Sequence, residues 1–110
     1  MPKHKLFVYG TLRPADEAYT YRLSGYDIYN YYGRFPYITP GLGSVRGTVI
    51  EVTRRELKQL DQIEGVAQGL YTREIVTVED ARTEEVVECF VYVGGNIVPQ
   101  LIPSGDWFNR

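Results

Sequence analysis

One carboxylate, Glu64, occupies a position that suggests proton-transfer chemistry. In the segment that begins at Arg54, Leu57 and Leu60 lie about 60° apart around a helix that turns by about 100° per residue. Glu64 falls between these leucines in angle if the helix extends that far. Burial raises the pKa of a carboxyl group, which suits it to exchange protons near neutral pH. We therefore predict that Glu64 is a general acid/base; if the helix ends earlier, Glu64 instead turns to solvent or caps a loop.

A second candidate for chemistry is the turn Tyr9-Gly10-Thr11-Leu12, which follows a short predicted strand from Lys5 to Tyr9. A glycine directly after a strand lets several unpaired backbone N–H groups point at one spot, as in anion-binding turns. The sequence therefore predicts that this turn forms a cradle for a polar or anionic part of a ligand.

Other side chains that commonly perform chemistry are poorly placed. His4, the single histidine, lies near the start of the chain, where it is a poor internal base for a serine or cysteine triad. Cys89 falls in a predicted strand and is interpreted as a packed thiol. One histidine and one cysteine cannot form the usual Cys/His zinc sets, and the glycines match no dinucleotide or Walker-type loop. We predict no metal and no cofactor, so an enzyme of this sequence would work by proton transfer and substrate positioning.

Composition narrows the class of protein. The chain has 110 residues, which predicts a single domain over residues 1–110, and a formal net charge of −2, which gives no electrostatic reason to expect nucleic acid or an anionic membrane as partner. No apolar run approaches the roughly 20 residues of a membrane span or the stretch of about 7–15 residues of a secretory signal. We expect a cytoplasmic protein. The oligomeric state stays open, with a homodimer as one option.

The elements that must position Glu64 can be read from local patterns. The alternation along Val45 to Thr53 predicts a strand. Thr53 and Glu56 then have the spacing of a capping box, which predicts a helix from Arg54 to about Ile63, with Gly65 as its stop. Two further strands are predicted at Tyr71 to Val78 and Val86 to Val93, joined by a polar hairpin connection.

The first third of the chain is harder to interpret. Residues 15–25 have a weak helical pattern, and residues 26–43, rich in glycine, proline and tyrosine, predict irregular structure with at most one strand. Seven of the ten tyrosines lie between Tyr19 and Tyr37. We interpret them as a half-buried layer; the alternative is that some line a pocket or an interface. Together the elements predict a strand-dominated α+β domain with one well-defined helix.

Six segments, in order, resemble the γ-glutamylcyclotransferase-like family. Residues 6–13 are similar to its N-terminal Tyr-Gly-Ser or Tyr-Gly-Thr signature, residues 47–52 to its G-x-V-Y-x-V strand, and residues 60–65 to its L-D-x-x-E-G element. Residues 71–73 and 90–93 resemble the following two strands. The ending at residues 104–107 is similar to that of short bacterial and archaeal members.

The resemblance implies a fold and a site. The fold is a small mixed β-barrel flanked by a few helices. The turn from Tyr9 to Leu12 would hold the α-amino-acid end of a γ-glutamyl group, and Glu64 would be the catalytic acid/base. Tyr71 and Tyr92 match positions near the pocket and would bind or orient substrate, although structural packing explains them nearly as well. Arg73 would pair with a carboxylate or remain solvated.

The implied reaction is an intramolecular cyclisation of a γ-glutamyl amine or γ-glutamyl amino acid, which releases 5-oxoproline. It places the protein among metal-free acyltransferases or lyases. The alternative is a non-catalytic protein on the same fold that binds a small ligand or serves an interaction role. Two departures bear on the substrate: the chain lacks the insertions of longer members, and Ile50 replaces an aromatic residue common on the central strand.

Overall fold

The fold is described from a computed structural model, which describes residues 3–10, 21–31, 35–94, 100–101 and 104–106. In chain order the elements are β1 (Lys3–Val8), β2 (Tyr21–Tyr31), β3 (Phe35–Thr53), α1 (Arg54–Ile63), a short 3₁₀ turn (Val66–Gln68), β4 (Tyr71–Asp80), β5 (Val86–Gly94) and β6 (Gln100–Leu101). None of the helices in these ranges is long and apolar enough to cross a membrane.

Five strands pair into a closed ring. β3 pairs with both β1 and β2, β2 with β4, β4 with β5, and β5 returns to β1. The β1–β5 contact is parallel and the other pairings are antiparallel, so the ring is mixed. It is irregular, because β2 meets β4 only at Tyr21 and Arg22, and β6 adds to β2 outside the ring. The prediction of a strand-dominated mixed barrel is thus confirmed, in an irregular form. The resemblance implied a few flanking helices, whereas the described ranges contain one α-helix, α1, and a short 3₁₀ turn.

The interior of the ring and its outer face carry two separate apolar clusters. One cluster takes buried side chains from all five strands and fills the interior: Phe7, Tyr9, Leu23, Ile28, Ile38, Val45, Val78, Cys89, Val91 and Val93. The other lies between the ring and α1: Leu6, Val8, Tyr37, Val52, Leu57, Tyr71 and Tyr92. Successive residues of β1 alternate between the two clusters, as strand geometry requires. Helix α1 packs against the strands through this second cluster.

Helix α1 begins where its sequence predicts. The Glu56 backbone N–H donates to Thr53 Oγ1 at 3.1 Å, and the Thr53 N–H donates to Glu56 Oε1 at 2.8 Å, which completes the capping box. Leu57 is buried against the strands. The helix ends at Ile63, and Gly65 adopts a φ of 69°, a left-handed conformation that favours glycine and stops the helix. Both predicted ends of α1 are confirmed.

The strand predicted at Lys5 to Tyr9 is confirmed as β1, whereas the predictions for residues 15–43 are wrong in the described ranges. Residues 21–25 of the predicted helix belong to β2, while residues 11–20 lie outside the described ranges. The stretch predicted to be irregular forms most of β2 and the first half of β3, which pair along their length across a bulge at Gly25. Cross-strand pairing therefore overrides the local glycine and proline signals. Tyr21, Tyr26 and Tyr29 are partly buried against the apolar clusters, as a half-buried layer would be.

Candidate functional site

A pocket of about 280 Å³ opens where β1 ends and α1 ends. Its lining consists of Phe7, Val8, Tyr9, Gly10, Pro36, Ile63, Glu64, Leu70, Tyr71 and Tyr92. This volume lies just below the usual range for ligand sites, which is about 300–1,000 Å³. Of the residues predicted for the site, the pocket brings together Glu64, Tyr9, Gly10, Tyr71 and Tyr92. Thr11 and Leu12 lie outside the described residues, so the predicted amide cradle stays a prediction.

Glu64 is the carboxylate of this pocket. It caps α1 with φ −78° and ψ −5°, so its side chain continues the helical turn and follows the face of Leu57 and Leu60. The residue is half-buried. Burial raises the pKa of its carboxyl group above the ordinary value. Within the described part of the chain, the carboxylate has no hydrogen-bond or ion-pair partner. A desolvated carboxylate of this kind is suited to exchange protons with a ligand.

Three tyrosines surround Glu64, and each hydroxyl is held by the protein. Tyr9 donates to the carbonyl of Tyr92 at 2.6 Å, Tyr71 donates to the carbonyl of Pro36 at 2.7 Å, and Tyr92 donates to Asp61 Oδ1 at 2.7 Å. These bonds cross between elements far apart in sequence. The rings therefore form a walled pocket of defined shape rather than a set of free phenols.

Glu64 lies close enough to these tyrosines to affect the pKa of each hydroxyl. Desolvation raises the pKa of Tyr9, Tyr71 and Tyr92, and the negative charge of Glu64 raises each of them further. For Tyr92 the bond to Asp61 also contributes. All three phenols thus stay protonated and neutral at physiological pH. Among the side chains that line the pocket in the described ranges, Glu64 is the one that carries charge.

Gly10 lines the pocket at a position where a larger residue would not fit. A Cβ at this position would overlap the ring of Pro36. The Pro36 carbonyl also accepts the hydrogen bond from the Tyr71 hydroxyl. Pro36 therefore forms part of one pocket wall and fixes a tyrosine of another wall. The place of Gly10 directly after a predicted strand indicated its role, but no sequence pattern predicted its contact with Pro36.

Polar contacts of Asp61 and Arg73, outside the pocket lining, hold the wall formed by Tyr92 in place. Asp61 accepts the hydroxyl of Tyr92 and pairs through Oδ2 with Arg73 Nη1 at 2.9 Å. The Arg73 guanidinium also stacks over Phe90, 4.9 Å from the ring centroid. Asp61 is a residue for which the sequence analysis proposed no role. Because Asp61 lies one helical turn before Glu64, helical periodicity predicts that it faces the same strands.

Cys89 and His4, whose positions in the sequence make them poor candidates for chemistry, lie outside the pocket lining. Cys89 is buried in the ring interior, and desolvation raises the pKa of its thiol to about 11, so the thiol stays neutral. His4 packs against Phe90 outside the pocket lining. In the described ranges no three His, Cys, Asp or Glu side chains gather as they would around a metal ion. Among its described lining residues, the pocket presents one carboxylate, Glu64, among neutral groups.

Comparison with known proteins identifies the family of this chain. Residues 6–109 match the family model described as gamma-glutamyl cyclotransferase, AIG2-like. A Vibrio cholerae protein provisionally named a gamma-glutamylcyclotransferase is 34% identical over 119 residues, covering 98% of this chain and 98% of the relative.

Solved structures show the same fold. The solution structure of an Arabidopsis thaliana protein superposes with a TM-score of 0.74 at 29% identity, over 87% of this chain and 71% of that protein. A solved gamma-glutamyl cyclotransferase gives a TM-score of 0.69 at 24% identity, over 93% and 72% of the two chains, and supports the fold alone. The predicted fold class is confirmed. On the family match and the Vibrio cholerae relative, this chain belongs to the γ-glutamylcyclotransferase family of the AIG2-like type.

Proposed function

We propose that the protein is a cyclotransferase that converts a γ-glutamyl amine or γ-glutamyl amino acid into 5-oxoproline and a free amine, with Glu64 as general acid/base. The observation that carries this proposal is the Glu64 carboxylate, which is desolvated, without a partner in the described part of the chain, and next to the turn that starts at Tyr9. The family gives the substrate class, a small molecule with a γ-glutamyl group.

The reaction needs one proton carrier. Ionised Glu64 takes a proton from the α-ammonium group of the substrate. The freed amine attacks the γ-carbonyl carbon of the same glutamyl unit and forms the C–N bond of the five-membered ring. Protonated Glu64 then gives its proton to the departing nitrogen as the former amide C–N bond breaks. The ring nitrogen still carries one extra proton after the attack and loses it to the released amine, so 5-oxoproline leaves as a neutral lactam and Glu64 ends ionised. The nucleophile belongs to the substrate, so the protein contributes orientation and proton transfer.

The walls of the pocket suit this chemistry. The pocket tyrosines do not compete with the substrate ammonium as proton donors to Glu64, because their raised pKa values keep the hydroxyls protonated. Their rings partly exclude water, which strengthens the interaction between Glu64 and a substrate ammonium. We further propose that backbone amides of the Tyr9–Leu12 turn hold the α-carboxylate of the glutamyl group and the oxyanion that forms at the γ-carbonyl.

The test is release of 5-oxoproline from a panel of γ-glutamyl amines and γ-glutamyl dipeptides, quantified by mass spectrometry. Wild type is compared with Glu64→Gln, which keeps the side-chain shape and loses the proton transfer. The matched control is Glu51→Gln, which changes an exposed carboxylate on β3 outside the pocket lining. We expect release by wild type and Glu51→Gln, with a loss of about 10²–10⁴-fold in Glu64→Gln.

Two results would contradict the proposal. Release that is unchanged in Glu64→Gln would remove Glu64 from the mechanism. If no panel member is turned over, and calorimetry shows that the folded protein binds γ-glutamyl compounds, the alternative of a non-catalytic ligand-binding protein is favoured.

A further inference from the structure

A second cleft, of about 430 Å³, lies along the seam between β1 and β5. The two strands run parallel and, in the described ranges, pair through Leu6 and Phe90 alone, so the residues before this bridge leave space between the strands. The cleft, which we call the seam cleft, is lined by Lys3, His4, Lys5, Ile75, Glu88, Cys89 and Phe90. Among the described residues it shares none of its lining with the pocket that holds Glu64. Its volume falls within the usual range for ligand sites, about 300–1,000 Å³.

One wall of the seam cleft is apolar and open to solvent. Ile75 and Phe90 are cross-strand neighbours on β4 and β5, and the His4 ring packs against Phe90 with 5.8 Å between the ring centroids. Ile75 is 63% exposed, although it is a large apolar side chain. Two rings and an aliphatic side chain in one layer are suited to pack against an aromatic group, which would remove Ile75 from water.

Opposite charges line the two sides of the seam cleft. Lys5 lies on β1 and Glu88 lies on β5, and both are exposed. Burial is the main influence on the pKa of the Cys89 thiol, which it raises; the positive charge of Lys5 lowers that pKa, and the negative charge of Glu88 raises it. Both charges therefore lie near Cys89, yet no ion pair joins Lys5 to Glu88 within the described part of the chain.

The neighbours of Lys5 leave its ammonium group available to a ligand. Lys3 lies two residues earlier on the same face of β1, so a carboxylate on this side of the seam cleft meets two ammonium groups. Glu51 stands opposite Lys5 on β3, and the two form no ion pair in the described ranges. The charges thus suit a ligand with one negative and one positive group, the first directed to Lys5 and the second to Glu88.

We infer that the seam cleft is a second binding site, which takes a free α-amino acid with an aromatic side chain. The α-carboxylate binds Lys5, the α-ammonium group binds Glu88, and the ring packs on Ile75 and Phe90. Each exposed charge contributes little alone, so selectivity comes from the three contacts together. The inference is independent of the reaction proposed for Glu64, because binding at the seam cleft requires no turnover.

The test is a titration of the isotope-labelled protein with L-phenylalanine, followed by the chemical shifts of its backbone amides in NMR spectra. We expect a Kd on the order of 1–3 mM, with the largest shifts at residues 3–5 and 88–90. Three comparators each lack one group: 3-phenylpropionate lacks the ammonium group, phenethylamine lacks the carboxylate and L-alanine lacks the ring. Each comparator should bind about two- to tenfold more weakly than L-phenylalanine.

Two substitutions assign the charged contacts. Lys5→Gln should weaken L-phenylalanine about two- to fivefold and leave phenethylamine unchanged, because that ligand has no carboxylate to lose a partner. Glu88→Gln should weaken L-phenylalanine by a similar factor and leave 3-phenylpropionate unchanged. The matched controls Lys58→Gln and Glu85→Gln change exposed charges outside the lining of the seam cleft, and both should leave every Kd unchanged.

Three results would overturn the inference. The first is the absence of any shift with L-phenylalanine up to about 20 mM, roughly ten times the expected Kd. The second is a set of shifts centred on Gly10 and Glu64, which would place the ligand in the other pocket. The third is equal binding of L-phenylalanine and phenethylamine, or Kd values insensitive to both Lys5→Gln and Glu88→Gln. None of these results bears on release of 5-oxoproline.

Discussion

The Tyr92 hydroxyl donates a 2.7 Å hydrogen bond to the Asp61 carboxylate, which ties β5 to α1 one helical turn before Glu64. The same carboxylate pairs with Arg73 of β4 at 2.9 Å. The end of α1 is therefore held on two strands by one side chain. Since Glu64 caps that helix, the position of its carboxylate depends on Asp61, a residue that does not line the pocket itself.

We predict that Asp61→Ala lowers both stability and turnover. The substitution leaves the Tyr92 hydroxyl and Arg73 without their shared acceptor, which should cost about 2 kcal/mol in the free energy of unfolding, measured by chemical denaturation. Displacement of Glu64 should lower kcat about tenfold per folded molecule while KM changes little. Asp61→Asn keeps an acceptor for Tyr92 and should recover part of kcat.

The control for this prediction is Arg22→Gln, which breaks the exposed ion pair with Glu79 between β2 and β4. Exposed pairs contribute about 0.2–1 kcal/mol, so stability should change little and kcat not at all. If Asp61→Ala is destabilised but its folded fraction retains full kcat, Asp61 supports the fold without positioning Glu64.

The pH profile of the enzyme should carry the signature of a desolvated base. Glu64 must be ionised to accept the substrate proton, and burial raises its pKa. The acidic limb of kcat/KM should therefore lie above pH 4.5, the ordinary value for a glutamate. The measurement is kcat/KM between about pH 4 and pH 9 with any substrate that is turned over. A limb at or below the ordinary glutamate value would argue against Glu64 as the base.

Glu64 should also reduce stability at neutral pH. Its folded pKa is raised, so its contribution to stability is complete below the unfolded pKa and is lost as pH rises through the folded pKa. Glu64→Gln removes this penalty. Because the site is half open to water, we expect a modest rise in Tm of about 1–3 °C at pH 7 and no difference at about pH 3.5. A Tm at pH 7 equal to or below that of wild type would contradict a desolvated Glu64.

The contact between Gly10 and Pro36 predicts that a larger residue at position 10 affects both the stability of the fold and the size of the pocket. Gly10→Ala places a methyl group where the Pro36 ring already lies, so it should destabilise the protein by about 1–3 kcal/mol and narrow the pocket. The double variant Gly10→Ala/Pro36→Ala should recover much of that stability, since Pro36→Ala clears the space and keeps the carbonyl that binds Tyr71. Denaturation of the three variants measures the coupling; additive losses would show that the two residues do not interact.

Much of the helical part of the site was predictable, because the forces that shape it are local. The capping box joins Thr53 to Glu56 through two short-range hydrogen bonds, and Gly65 stops the helix through its own backbone conformation. Helical periodicity then places Glu64 on the face of the leucines. These steps involve residues a few positions apart, so the order of residues is enough to predict them.

The surroundings of Glu64 depend on contacts between distant segments. Tyr71 binds the carbonyl of Pro36, 35 positions away, and Tyr92 binds Asp61, 31 positions away. No local pattern encodes either pair. They form because β2 and β3 pair along their length, against the glycine and proline signals of that stretch, and the ring then closes through β4 and β5. The order of residues thus specifies the carboxylate and the helix that carries it. Closure of the sheet supplies the pocket walls and the partial exclusion of water that raises the pKa of Glu64.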